Sequence, residues 1–155
     1  MEEIFAKLKA HMLEGMVFHD NMARYYDFLG LDDHRDRHKE HYEKETKGYQ
    51  KLCGYYMHHH NKLLPDLPMN RPDVIPESWY MYKRQDVDSN TKRNAVKSGI
   101  RKWVDWETET KDLYEDLCGE LLNEGEIASA HFIMEYVKDV DCELAEAIHM
   151  SLESL

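Results

Sequence analysis

Residues 22–41 read MARYYDFLGLDDHRDRHKEH, and this stretch decides the fold. Tyr25, Tyr26, Phe28 and Leu29 close an apolar run, and Gly30 follows where a helix needs a residue tolerant of positive φ. Asp32 or Asp33 then suits the start of a second helix, with Asp36 three residues after Asp33 in an approximate capping-box arrangement. Working back, Phe5, Leu8, Met12, Met16, His19, Ala23 and Tyr26 recur three or four apart, which predicts a helix over 2–29 with one inward face. Working forward, the second helix runs to about Leu64, where Pro65 stops it. A turn of two or three residues makes the two helices antiparallel neighbours.

All four prolines, at 65, 68, 72 and 76, fall in a stretch of about 65–88. A loop of that length needs a purpose, and returning the chain along a bundle is one. Helices of about 30 residues are about 45 Å long. A connection of this size extends to roughly 75 Å, enough to cover that length. Glu77–Gln85, with Trp79, Tyr80 and Tyr82, is expected to form a short helix within it. Ser89 then caps a third helix to about Leu122, with Val96, Ile100, Trp103, Glu107, Tyr114, Leu117 and Leu121 on its inner stripe. Asn123-Glu124-Gly125 breaks it, and a fourth helix over about 126–153 turns Ile133, Tyr136, Val140, Leu144 and Ala147 inward. The expected fold class is all-α: a single domain of 155 residues in which two antiparallel hairpins, joined by a long crossover, make a four-helix bundle.

Composition narrows the class. Hydrophobic residues make up 42% and charged residues 33%, which excludes disorder by composition, and no apolar run reaches the roughly 18 residues of a membrane span. Cys53, Cys118 and Cys142 are too scattered for a disulfide framework or a zinc pair and read as reduced thiols. The amphipathic start carries no secretion pattern, so a cytoplasmic location is expected, with no membrane association. The net charge of −11 is uneven: residues 1–82 carry −3, 83–102 carry +5 and 103–155 carry −13. The acidic last third argues against direct nucleic-acid binding. The basic stretch either neutralises the chain's own acidic end or docks on an acidic protein partner.

The informative polar residues lie on stripes that ought to be apolar. Glu107 sits between Trp103 and Tyr114, and Glu45 is in register with His34, His38, His41 and Leu52. A buried carboxylate is costly unless paired, hydrogen-bonded or metal-bound, and two facing each other need a cation or a proton between them. Imidazole and carboxylate donors suit iron, manganese or zinc. The alternative is that such residues point outward or bond to a Tyr or Lys. For His34 and His38, which alternate with Arg35, Arg37 and Lys39, the solvated reading is the expectation, whereas His41 stands open between the two. His19 on an apolar face fits a hydrogen-bonded core histidine or a ligand. His58, His59 and His60 decorate a helix end, where the macrodipole favours cations. No Gly-rich phosphate loop, nucleophile elbow or HExxH motif occurs.

On these residues the chain resembles the ferritin-like superfamily. Residues 22–31 are similar to the end of a ferritin first helix, and 38–56 (HKEHYEKETKGYQKLCGYY) to its second. Trp106-Glu107 onward is similar to the third, and 132–148 to the fourth. The resemblance implies a di-iron centre built from a Glu on helix one, Glu-x-x-His on helix two, a Glu on helix three and a Glu, Gln or His on helix four. Carried over, Glu45 and Glu107 remain, while the other three positions fall on Met12, Gly48 and Val140, with Glu143 one turn further as an outer ligand. A tyrosine that usually supports the helix-three Glu falls on His19. The implied outcome is a remodelled, incomplete site for one transition metal drawn from Glu45, Glu107, His41, His19 and Glu143. Lacking the family's cage-forming fifth helix, the chain is expected as a monomer or homodimer rather than a storage cage. A ferroxidase-like, metal-dependent oxidoreductase is the enzymatic form of this reading. The competing one is a non-catalytic helical-bundle interaction module, without cofactor, that uses the acidic C-terminal and basic 83–102 surfaces.

Overall fold

The computed structural model describes residues 1–154. It contains four long helices: α1 (Glu2–Phe28), α2 (Asp32–His60), α3 (Ser89–Asn123) and α4 (Ile127–Glu153). No strand occurs among the described residues. The chain is all-α, with the connectivity of a four-helix bundle: two antiparallel hairpins and one long crossover. It divides into two compact units, residues 2–93 and 94 onward.

Both hairpins turn by the same device. Gly30 has φ +73° and Gly125 φ +78°, the left-handed conformation that glycine adopts without a Cβ penalty. Gly30 N donates to Asp27 O and Leu31 N to Tyr26 O, each at 3.0 Å. Gly125 N donates to Leu122 O at 3.1 Å and Glu126 N to Leu121 O at 2.9 Å. Each helix end thereby satisfies two carbonyls in a Schellman motif.

In the first unit, Phe5, Leu8, Met12, Met22, Tyr25 and Tyr26 of α1 are buried with Leu52 and Tyr56 of α2. α2 ends at His60, four residues before the predicted Leu64, because Asn61 takes a left-handed conformation (φ 52°). Its start has no side-chain cap, so the expected aspartate box does not form.

The crossover is fastened along the whole of α1. Lys62 Nζ reaches Glu2 at 3.3 Å. The buried Lys9 donates to Leu64 O at 2.8 Å and pairs with Asp66 at 2.7 Å. Asn70 N donates to Glu14 Oε1 at 2.9 Å, and Asn21 Nδ2 to Pro72 O at 2.8 Å. Trp79 stacks on Tyr25 (4.6 Å) and Phe28 (5.4 Å), and Arg84 donates to Asp27 O at 2.9 Å. Chain order thus follows α1 from its first residue to its last, the return path expected of the proline-rich stretch. Glu77–Gln85 forms two 3₁₀ turns, Glu77–Met81 and Arg84–Asp86, rather than one helix. The cap of α3 is Asp88, whose Oδ1 accepts from Thr91 N at 2.7 Å, and not Ser89.

In the second unit, Trp103, Tyr114, Leu117 and Leu121 are buried on α3, and Ala130, Ile133, Val140 and Ala147 on α4. Cys118 Sγ donates to Ala130 O at 3.4 Å and Lys111 pairs with Asp141 at 2.8 Å, contacts that fix the antiparallel register. Cys53 is half-buried, Cys118 buried and Cys142 exposed, all as free thiols.

Because Trp79 is the one large apolar anchor in the second half of the crossover, Trp79→Ala is expected to expose it to protease. Limited trypsinolysis will cut the variant faster at Lys83 or Arg84, while far-UV circular dichroism keeps the helical signal of the long helices.

Candidate functional site

The antiparallel seam of α1 and α2 carries a column of polar side chains. Tyr26 stacks on His34 (4.7 Å) and on His38 (5.6 Å). His19 stacks on His38 (5.2 Å) and on His41 (5.1 Å), with Phe18 edge-on to it at 5.1 Å. One turn further, the Glu45 carboxyl group lies against the backbone of Gly15; a Cβ at residue 15 would stand 3.3 Å from Cδ. Positions fall along α1 as they rise along α2, so His19, His41 and Glu45 form one ladder. Its rungs exist because the sequence puts His38, His41 and Glu45 three and four apart on α2, and Gly15 and His19 four apart on α1.

A direct polar contact in the column joins Nδ1 of His19 to Nδ1 of His38 at 3.0 Å. One of these nitrogens must carry the proton and the other offer its lone pair. Both rings are buried, His19 completely and His38 to 1% exposure. Burial, then the neighbouring His38 and His41, lowers the His19 pKa well below the ordinary value. Burial, then His41, Arg37 and His34, pushes His38 down to about 3. His11, also buried on α1, is pushed down to about 4 by desolvation. At neutral pH these imidazoles are uncharged, the form in which a ring nitrogen can bind a metal.

His19 and His41 are brought together, and Glu45, one turn along α2, is half-buried. Glu107 and Glu143 belong to the second hairpin. Glu107 is completely buried between Trp103 and Tyr114, and Glu143 is buried on α4 between Val140 and Ala147. The expectation that His38 is solvated is wrong: it lies at the centre of the column. His34, also expected outward, is half-buried on Tyr26. Reading the α2 stripe backwards from Leu52 through Glu45 and His41 reaches His38 and His34 at helical spacing, a signal outweighed by the flanking Arg37 and Lys39. Gly15 was not singled out either, although it lies four residues before His19 on the same stripe.

The family's di-iron centre does not fit this chain. At its missing positions, Met12 is buried and offers only a thioether, while Gly48 and Val140 offer no side-chain donor. Among the described residues, no three or more His, Cys, Asp or Glu side chains are gathered in an arrangement ready to hold a metal ion. A separate surface cleft of about 220 Å³ lies on the first hairpin, lined by Asp20, Arg24, Asp27, Arg35, Lys39 and Tyr42. Its arginines are already engaged, Arg24 with Asp20 and Arg35 with Asp27.

No protein-family model, curated protein or solved structure matches the chain. No helix among the described residues is long and apolar enough to cross a membrane.

The lowered histidine pKa values give a signed pH dependence. The unfolded chain takes up protons near pH 6.5. Folded His11 and His38 resist protonation to about 4 and about 3, and His19 resists it as well. Stability is therefore full above about pH 6.5 and falls progressively as pH drops through that window, by up to about 1.4 kcal/mol per histidine per pH unit. Urea unfolding with a chelator present should show the midpoint declining from pH 7 to 4, and less steeply in His38→Gln.

Proposed function

We propose that the chain is a ferritin-like helical protein that binds one transition-metal ion at the histidine column of α1 and α2, and that the di-iron oxidation chemistry of the family is lost. The ligands are His19 and His38 through Nδ1, His41, and Glu45 as the acidic donor. This set keeps three of the five residues the resemblance implies and adds His38; Glu107 and Glu143 lie outside it.

One observation carries the reading. Two nitrogens bound cis on a six-coordinate ion, each at about 2.1 Å, stand about 3.0 Å apart. The two Nδ1 atoms stand at that spacing. Neutral imidazoles in a desolvated seam incur little proton competition, and Glu45, folded against Gly15, supplies one negative charge toward a divalent ion. In the metal-free protein the hydrogen bond between the rings occupies the nitrogens a metal would use, and the proposal requires His41 and Glu45 to turn toward them on binding, since the side chains are not gathered around one point. Iron, manganese, nickel and zinc all accept such donors.

Elemental analysis of protein purified without a histidine tag, followed by cobalt titration read in the visible spectrum, tests the proposal. The expected result is one equivalent per chain. Binding should be abolished in His19→Ala and His38→Ala and weakened roughly tenfold or more in Glu45→Gln. No binding by the folded wild type, or binding that survives both histidine substitutions, would overturn it and leave an interaction module as the reading of the fold.

A further inference from the structure

Two exposed apolar surfaces of opposite charge stand apart from the histidine column. The first is the tip of the crossover. Trp79 is wedged against Tyr25 and Phe28, and Arg84 is tied to Asp27 O, so the segment between them is held at both ends. Between these anchors Tyr80 (73% exposed), Met81 (85%) and Tyr82 project outward, followed by the exposed Lys83. The bases continue into α3, where Lys92, Arg93, Lys97, Arg101 and Lys102 bring residues 83–102 to +5. The second surface is the C-terminal end of α4. Ile148 and Leu152, four residues apart, are exposed on one face that continues through Ala145 to Asp141. From residue 139 onward this end carries Asp139, Asp141, Glu143, Glu146 and Glu153, and no lysine or arginine.

We infer that the crossover tip of one copy docks on the α4 end of a second copy of this chain. Three consecutive large side chains displayed on a fixed segment, with water on all of them, mark a contact surface rather than scattered surface apolar residues. Charge then selects the partner. A tip-to-tip contact sets base against base, and an α4-to-α4 contact sets acid against acid. The tip-to-α4 contact joins aromatic and thioether groups to aliphatic ones, and joins cations to carboxylates. Tyr80, Met81 and Tyr82 are exposed on the first unit, and Ile148 and Leu152 on the second. The rim charges are solvated, so the attraction weakens as salt shortens the screening length. This inference is independent of the metal proposal.

Sedimentation of the full chain over a wide concentration range, with chelator present, tests it. The wild type should rise above one-copy mass as concentration increases, and return toward one copy at high salt. Met81→Asp alone should stay at one copy, as should Leu152→Asp alone, each with unchanged helical circular dichroism because both positions are exposed. Mixed together, the two variants should recover association, since the tip of the Leu152 variant meets the intact α4 of the Met81 variant. A wild type of one-copy mass throughout would overturn the inference. So would single variants that associate like the wild type, or a mixture that stays at one copy while the wild type pairs.

Discussion

The contact between the Nδ1 atoms of His19 and His38 sets the terms for the first hairpin. Two imidazoles in a seam that excludes water lose most of their hydration, and a buried polar group without a partner costs roughly 1–3 kcal/mol. The hydrogen bond between them offsets that loss and requires complementary protonation of the two nitrogens. The surrounding rings then follow. His41 stacks on His19, His34 and His38 stack on Tyr26, and Phe18 closes the side. A hairpin stabilised by apolar contact alone would tolerate rotation of its helices about their axes. A seam with a directed hydrogen bond tolerates much less.

The same seam sets the chemical character of the chain. Ferritin-like centres use carboxylates from several helices to hold two irons. Here the α2 carboxylate, Glu45, lies against Gly15, and His41, one turn before it, stacks on His19. The column of His19, His38 and His41 beside Glu45 offers more nitrogen than oxygen donors. Glu107 and Glu143 persist as buried acids on the second hairpin, where Lys111 and Asp141 fix the neighbouring register.

Most of the architecture was legible because its signals are local and repeated. Gly30 and Gly125 mark both turns, four prolines mark the crossover, and the 3.6-residue period of Phe5, Leu8 and Met12 or of Trp103, Tyr114 and Leu121 marks the buried faces. Ends were less legible. Pro65 marks a stop for α2 in the sequence, yet Asn61 ends the helix earlier with one left-handed residue, a choice that depends on where Lys62, Leu64 and Asp66 must reach Glu2 and Lys9. The site was half legible. His19 follows from apolar neighbours at helical spacing, and His41 and Glu45 from a shared stripe with Leu52. His38 was hidden by its charged sequence neighbours, which on a helix point elsewhere. Gly15 was hidden because a missing side chain has meaning only once Glu45 is seen filling its place.

The most direct measurement of the central claim is the ring ¹⁵N spectrum of the histidines at neutral pH, before and after a divalent metal is added. The account predicts that His19 and His38 are uncharged, that one has a protonated and the other a bare Nδ1, and that both Nδ1 resonances move together when one equivalent of metal binds. Imidazolium rings at these positions, or Nδ1 signals indifferent to metal, would contradict it.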